Sequence, residues 1–304
     1  MTDPLPFDEL PITFDCEGAQ LLGMLHLPRQ IRGRGMLSIV AGGPQYRGGV
    51  GRMQVQMARA LAAAGVPVMR FDYRGLGDSE GKFNGFTGVT ADIGAAIAAF
   101  CQHAPGLREM VLWGGCDAAS ATLINAWRFP EVTGIVVGNP WVHSEHTGDL
   151  AAVKHFRKRL RDKDFWLKVL RLRYNPVPAL GSLARAASRK LTGGLRPVSS
   201  AAQNDDPSLP FQERMRIGLA RFKGDVLMLM SGRSLASKEF DELVAAHPAW
   251  QQAMRSPRLL VRHDIAEADQ AFSGVDVRAE VVDATRRWML DPRAPLHTAA
   301  TPAP

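Results

Sequence analysis

The stretch "VLWGGCDAAS" (111–120) runs an apolar segment into two glycines, sets one cysteine after them and continues in small, helix-compatible residues. It reads as a buried strand, a sharp turn and a helix start. Gly114 and Ala118 stand two residues to either side of Cys116. A tight strand-to-helix elbow carrying a nucleophile needs small residues there, because larger ones would clash across the turn. A helix N-terminus also offers unpaired N–H groups and the positive end of the helix dipole. Cys116 is therefore expected to have a lowered thiol pKa, with the Asp117 backbone N–H placed as an oxyanion donor. Cys16 and Cys101 lack such surroundings and read as small apolar fillers. Three scattered cysteines make neither a disulfide framework nor a zinc site, so thiols and no metal are expected.

Working outward, short apolar runs alternate with Ala- and Leu-rich helical stretches. The strand candidates are 35–43, 66–75, 108–116, 132–142, 225–232 and 258–265, with helical segments starting near residues 53, 90, 118, 239 and 276. Such alternation implies an α/β protein with a parallel sheet covered on both faces. The first 30 residues differ: "PITFDCEG" and "AQLLGMLHLP" flank a turn and predict an antiparallel hairpin leading into the sheet. No internal repeat is visible. The terminal "PRAPLHTAATPAP" reads as a disordered tail from 294 onward.

Composition excludes several classes. The chain of 304 residues is 46% hydrophobic and 22% charged, with no apolar run long enough to span a bilayer. Its start, "MTDPLPFDELPITF", has no apolar h-region, and a cytoplasmic location is the expectation. The net charge of +7 is concentrated: residues 154–190 hold twelve Lys or Arg against Asp162 and Asp164, so the rest of the chain is net negative. In that segment Val153, Phe156, Leu160, Leu167, Leu170 and Tyr174 recur at helical spacing, which describes an amphipathic lid with a solvated basic face. The sharper reading is peripheral contact of residues 154–190 with anionic lipid headgroups or acidic polysaccharide. Nucleic acid is not expected, since no recognition motif accompanies the charge.

Two further loops follow strands. "AGGPQYRGG" (41–49) has glycines that let backbone N–H groups approach a ligand, as an oxyanion-hole loop must. "RFDYRGLGDSEG" (70–81) places Asp72, Arg74 and Asp78 to fix a loop by hydrogen bonds, and reads as structural. Together with the cysteine elbow, "GNPWV", "LMLMSGR" and "EADQAFS", these motifs resemble the α/β-hydrolase superfamily, and within it the exosortase A system-associated hydrolases of type 1. The resemblance spans about residues 10–290. It implies an α/β-hydrolase fold and a hydrolase-like bacterial protein accompanying exopolysaccharide and protein-sorting systems.

It further implies a triad: a nucleophile at Cys116, an acid on the loop after the "LMLMSGR" strand and a histidine on the loop after the last strand. At those positions this chain has Ser234 and Gln270. A glutamine amide donates and accepts hydrogen bonds but takes up no proton near neutral pH, so it is no general base. The candidate replacement base is His143, with Glu145 or His146 to orient it. His263, followed by Asp264, is a second candidate whose plain reading is a strand-packing histidine.

The expected organisation is a core of residues 1–142 and 225–293, a helical basic cap at 143–224 and the tail 294–304. Two functional classes stay open. One is an acyl hydrolase or acyl transferase working on a small-molecule or acylated ester or thioester through Cys116, with Gly43 and Asp117 N–H groups as oxyanion donors and no cofactor. The other is a catalytically silent relative that keeps the pocket for binding.

Overall fold

The computed structural model describes residues 5–40, 46–143 and 206–296. The chain divides into two compact units, one of Met1–Trp141 with Pro207–Pro304 and one of Val142–Asp206. The first is built on eight strands: β1 (Phe7–Cys16), β2 (Ala19–Pro28), β3 (Arg34–Ile39), β4 (Val68–Phe71), β5 (Glu109–Gly115), β6 (Val132–Gly138), β7 (Asp225–Ser231) and β8 (Leu259–Ile265). Their order in the sheet is β1-β2-β4-β3-β5-β6-β7-β8. β1 and β2 pair antiparallel along their full length, β2 joins β4 antiparallel, and every pairing from β4 through β8 is parallel. A mostly parallel sheet with an N-terminal antiparallel hairpin is what the sequence pattern calls for. The hairpin turns on Glu17 and Gly18, both at positive φ, a two-residue turn whose twist matches that of the flanking strands.

The described helices of this unit are α1 (Met53–Ala63), α2 (Thr90–His103), α3 (Asp117–Asn125), α4 (Phe211–Arg221), α5 (Leu235–Ala246), α6 (Pro248–Met254) and α7 (Val275–Leu290). The central strands are largely buried, β4 and β7 along their whole length, because helices cover both faces. Met57, Leu61, Val111, Trp113, Leu227 and Trp288 belong to one continuous apolar core between the sheet, α1 and α7. Burying one such side chain stabilises the fold by roughly 1.5–3 kcal/mol.

Two sequence expectations differ in extent. The segment 207–224 packs with the core rather than with the unit 142–206. A Cβ on Gly218 of α4 would lie 2.0 Å from the Leu123 carbonyl, so α4 and α3 touch backbone to backbone. Met215 and Leu219, one helical turn apart, and Ile217 are buried beside Gly218, so an apolar stripe as well as the glycine marks where α4 docks. At the other end, Leu296, the third residue of the expected tail, still packs on the core cluster. Residues 297–304 and the basic segment 154–190 lie outside the described residues. Among the described residues no helix is long and apolar enough to cross a membrane.

Candidate active site

Strand β5 ends at Gly115 and α3 begins at Asp117, leaving Cys116 alone in the turn with φ 58° and ψ −123°. For a side-chain-bearing residue this conformation is strained by roughly 1–3 kcal/mol and persists only where its surroundings impose it. They do. Cys116 N–H donates to Gly138 O at 2.8 Å, Trp141 N–H donates to Cys116 O at 3.2 Å, and Ser120 Oγ donates to Trp141 O at 2.6 Å. A Cβ on Gly114 would come within 2.5 Å of the Ala118 carbonyl and 2.8 Å of Thr122 Oγ1, so the glycine is a steric requirement of the elbow. The Asp117 N–H, first of the helix, lies against the Cys116 sulfur and favours its thiolate form.

The expected net lowering of the thiol pKa is not what the site produces. Burial, reinforced by the Asp117 carboxylate beside it, pushes the Cys116 thiol up, and hydrogen-bond donation from Asp117 N–H and the Gln270 amide only partly opposes this. Desolvation outweighs the helix N-terminus because the sulfur sits in an apolar cavity. Cys16 and Cys101 are also pushed up by burial; Cys16 is enclosed, whereas part of Cys101 reaches solvent.

That cavity, about 350 Å³, opens at the carboxyl ends of the strands, where open α/β sheets gather ligands. Its floor is Cys116. Trp113, Trp141, Phe86 and Phe272 form much of its wall, with Gln54 and Gln270 as polar groups. Phe272 has φ 53°, and its ring leaves a Cβ on Gly138 only 2.9 Å, so a second strained residue presses against the strand beside the elbow. Gln54 accepts a short hydrogen bond from Ser38 Oγ, both groups buried.

Ser234 and Gln270 meet in the loops after β7 and β8. Ser234 caps α5, its Oγ accepting from Ser237 N–H at 3.2 Å, and the same hydroxyl donates a short hydrogen bond to Gln270 Oε1. That bond fixes the amide flip: Oε1 faces the serine and Nε2 faces the cavity side. Gln270 Nε2 is buried without a well-aligned acceptor among the described residues, and its action on the sulfur is to favour the thiolate. The order Cys116, Gln270, Ser234 is therefore a contact chain from the elbow to the β7 loop.

Asn139, in the quoted "GNPWV" motif but given no role from sequence, ties these loops together. It is fully buried at φ 47°. Its Nδ2 donates to Ser231 Oγ at 2.7 Å and to Gln270 O at 3.0 Å, while its Oδ1 accepts from Ser231 N–H at 2.8 Å and Ser237 Oγ at 2.7 Å. Ser231 Oγ in turn donates to Asp269 O at 2.8 Å. One amide thus fixes the ends of β6, β7 and β8. The sequence signal was available: an Asn just past a strand, where positive φ is tolerated.

The loop after β3 is anchored from below. Arg47 N–H donates to Asp72 Oδ1 at 2.6 Å, its guanidinium bridges Asp72 and Asp78, and Arg70 Nη1 donates to Arg47 O at 2.6 Å. Arg74 grips Asp92 on α2. The "RFDYRGLGDSEG" loop is a clamp on Arg47. Gly43 itself lies outside the described residues.

The histidines sort differently. His263 Nε2 contacts Glu280 Oε1 on α7 at 2.9 Å, and Asp264 pairs with Arg262; neither lines the cavity. His143 is exposed and belongs to the unit 142–206. Glu145 and His146 lie outside the described residues. Among the described residues no cluster of three or more His, Cys, Asp or Glu could hold a metal ion.

An eight-stranded sheet with its elbow after β5 and partner loops after β7 and β8 defines the α/β-hydrolase fold. Solved structures agree. The Pyrococcus furiosus esterase Pf2001 superposes with a TM-score of 0.59 at 15% identity, covering 94% of this chain and 93% of that one. Est1E of Butyrivibrio proteoclasticus, solved with ferulic acid bound, gives 0.56 at 14% identity over 92% and 98%. A putative α/β hydrolase of Agrobacterium tumefaciens gives 0.56 at 14% over 93% and 98%. A curated Rickettsia prowazekii (strain Madrid E) protein, uncharacterized protein RP471, is 29% identical over 109 residues, 36% of this chain and 46% of its own length; the chain thus matches less than half of that relative. No family model matches the chain.

Proposed function

We propose that this chain is an α/β-hydrolase-type acyl hydrolase or acyl transferase whose nucleophile is the Cys116 sulfur. The observation that carries the reading is the strained backbone of Cys116 at the floor of an apolar cavity. Folding alone gains nothing from a non-glycine residue at that φ, whereas a nucleophile must stand proud of the sheet end. The esterases it resembles in fold support the class. In the reaction the thiolate attacks an acyl carbonyl, and the Asp117 N–H donates to the developing oxyanion, with Gly43 N–H as second donor. The aromatic cavity suits an apolar or aryl acyl group. The link to exosortase and exopolysaccharide systems is part of the same proposal and rests on the sequence motifs.

A second reading, a binding protein that has lost turnover, is favoured by one observation: the residue touching Cys116 from the β8 loop is Gln270, whose amide takes up no proton near neutral pH. A screen of esters and thioesters on wild type beside Cys116→Ala tests the first reading against the second. Turnover or acyl adduct lost in the variant supports an acyl-enzyme; saturable binding retained by both, without adduct, supports the binding protein.

A further inference from the structure

Resting on the Cys116 acyl-enzyme reading, we infer that the site takes thioesters rather than alkyl oxygen esters and hands its acyl group to a second thiol rather than to water. The inference turns on Gln270 Nε2, the group facing Cys116 where a proton-shuttling base would stand, and on Ser234, which fixes the orientation of that amide.

An amide N–H can hold a leaving atom by a hydrogen bond, but it gives up no proton. An alkoxide leaving group has a conjugate acid close to water in strength, whose pKa is about 15.7, so it must be protonated as it departs. A thiolate, with a pKa near 8.5, leaves unprotonated. The same contrast governs release. Water attacks acyl-Cys116 only after a base takes its proton, whereas an incoming thiol already exists in part as thiolate.

The balanced step is as follows. Cys116 loses its proton to solvent, and its sulfur forms a bond to the acyl carbon of R–CO–S–R′. The carbonyl electron pair moves to oxygen beside Asp117 N–H, then returns and breaks the bond to S–R′. The departing thiolate takes a proton from solvent. Cys116-SH and the thioester thus give Cys116-S–CO–R and R′SH. A second thiol repeats the exchange in reverse and restores Cys116. No oxidant, metal or cofactor enters.

The test uses the full chain and two probes, the hexanoyl thioester of N-acetylcysteamine and ethyl hexanoate, followed by intact mass. The thioester should leave one hexanoyl adduct, mapped by peptide mass spectrometry to Cys116 rather than to the partly exposed Cys101, so the result does not depend on any variant folding. The adduct should persist in buffer and be discharged at least about tenfold faster by free N-acetylcysteamine. Ethyl hexanoate should give none. Equal acylation by the ethyl ester, or release to water as fast as to thiol, overturns this inference while leaving the acyl-enzyme intact. Absence of any Cys116 adduct or Cys116-dependent turnover with both probes and with p-nitrophenyl hexanoate overturns both.

Discussion

The Ser234 hydroxyl donates to Gln270 Oε1 and thereby sets which end of the glutamine amide faces the Cys116 sulfur. Were the serine an acceptor only, the amide could turn and present an oxygen to the thiolate. As built, the relay delivers a donor and no base.

Replacing both outer members should convert the relay. Gln270→His places an imidazole beside Cys116, and Ser234→Asp orients it while preserving the helix cap, since Asp caps as well as Ser. Hydrolysis of p-nitrophenyl hexanoate by the double variant should rise at least about tenfold over wild type, the low end of general-base contributions. Ser234→Asp alone, which puts an acceptor-only group against the Gln270 amide and supplies no base, should leave the rate at or below wild type. A rapid wild-type rate abolished by His143→Ala would mean that His143 serves as base instead.

Asp117→Asn should make the thiol more acidic. The carboxylate beside Cys116 disfavours the thiolate, so removing its charge lowers the pKa, while burial continues to hold it up. The pH profile of iodoacetamide alkylation at Cys116, read by peptide mass spectrometry, should move to lower pH with Cys101 unchanged as internal control. A profile that stays put would mean that the Asp117 charge is screened from the sulfur.

Asn139→Ala should destabilise the fold by about 2–4 kcal/mol, because it strands the Gln270 carbonyl and leaves Ser231 N–H and Ser237 Oγ only the 3.3 Å bond between them. Asn139→Gly, which relieves the positive φ yet makes none of those bonds, should fall between Ala and wild type. Urea midpoints measure both.

Acid should weaken the protein through His26. Burial, with Arg70 beside it, lowers its pKa to about 4, and Arg70 Nε donates to its Nε2 at 3.1 Å, which requires a neutral ring. The unfolded chain takes up this proton near pH 6.5 and the native one only near 4, so stability present above 6.5 falls as pH drops toward 4, by up to about 1.4 kcal/mol per pH unit from this group. Glu9, its own pKa lowered chiefly by Arg59, adds a loss of the same sign at lower pH. His26→Gln should flatten the urea midpoint between pH 6.5 and 4.5.

The sheet was legible because β3 to β7 are short, largely apolar runs, and the elbow because Gly114 and Ala118 bracket Cys116 at a spacing sterics explain. The pairing of Ser234 with Gln270 is set by loops 36 residues apart, and no periodicity reports it. Asn139 was visible but mute, since its side chain's four hydrogen bonds go to Ser231, Ser237 and Gln270, which lie at or after the ends of two other strands. The helix N-terminus misled on acidity: the dipole is local and readable, whereas desolvation depends on Trp113, Trp141 and Phe272 closing around the sulfur. Helix α4 fell inside the segment assigned to the cap, although Met215 and Leu219, buried on either side of Gly218, form the short apolar stripe that docks it.

The positive φ of Cys116 makes thermal stability a reporter of chemistry. Glycine relaxes in that conformation, and its greater freedom when unfolded offsets about 0.5–1 kcal/mol of the relief. Cys116→Gly should therefore melt at or above the wild-type temperature while losing every reaction of the sulfur. A position where the inert variant is the hardier one marks work done for something other than folding, and it can be recognised in a melting curve before any substrate is known.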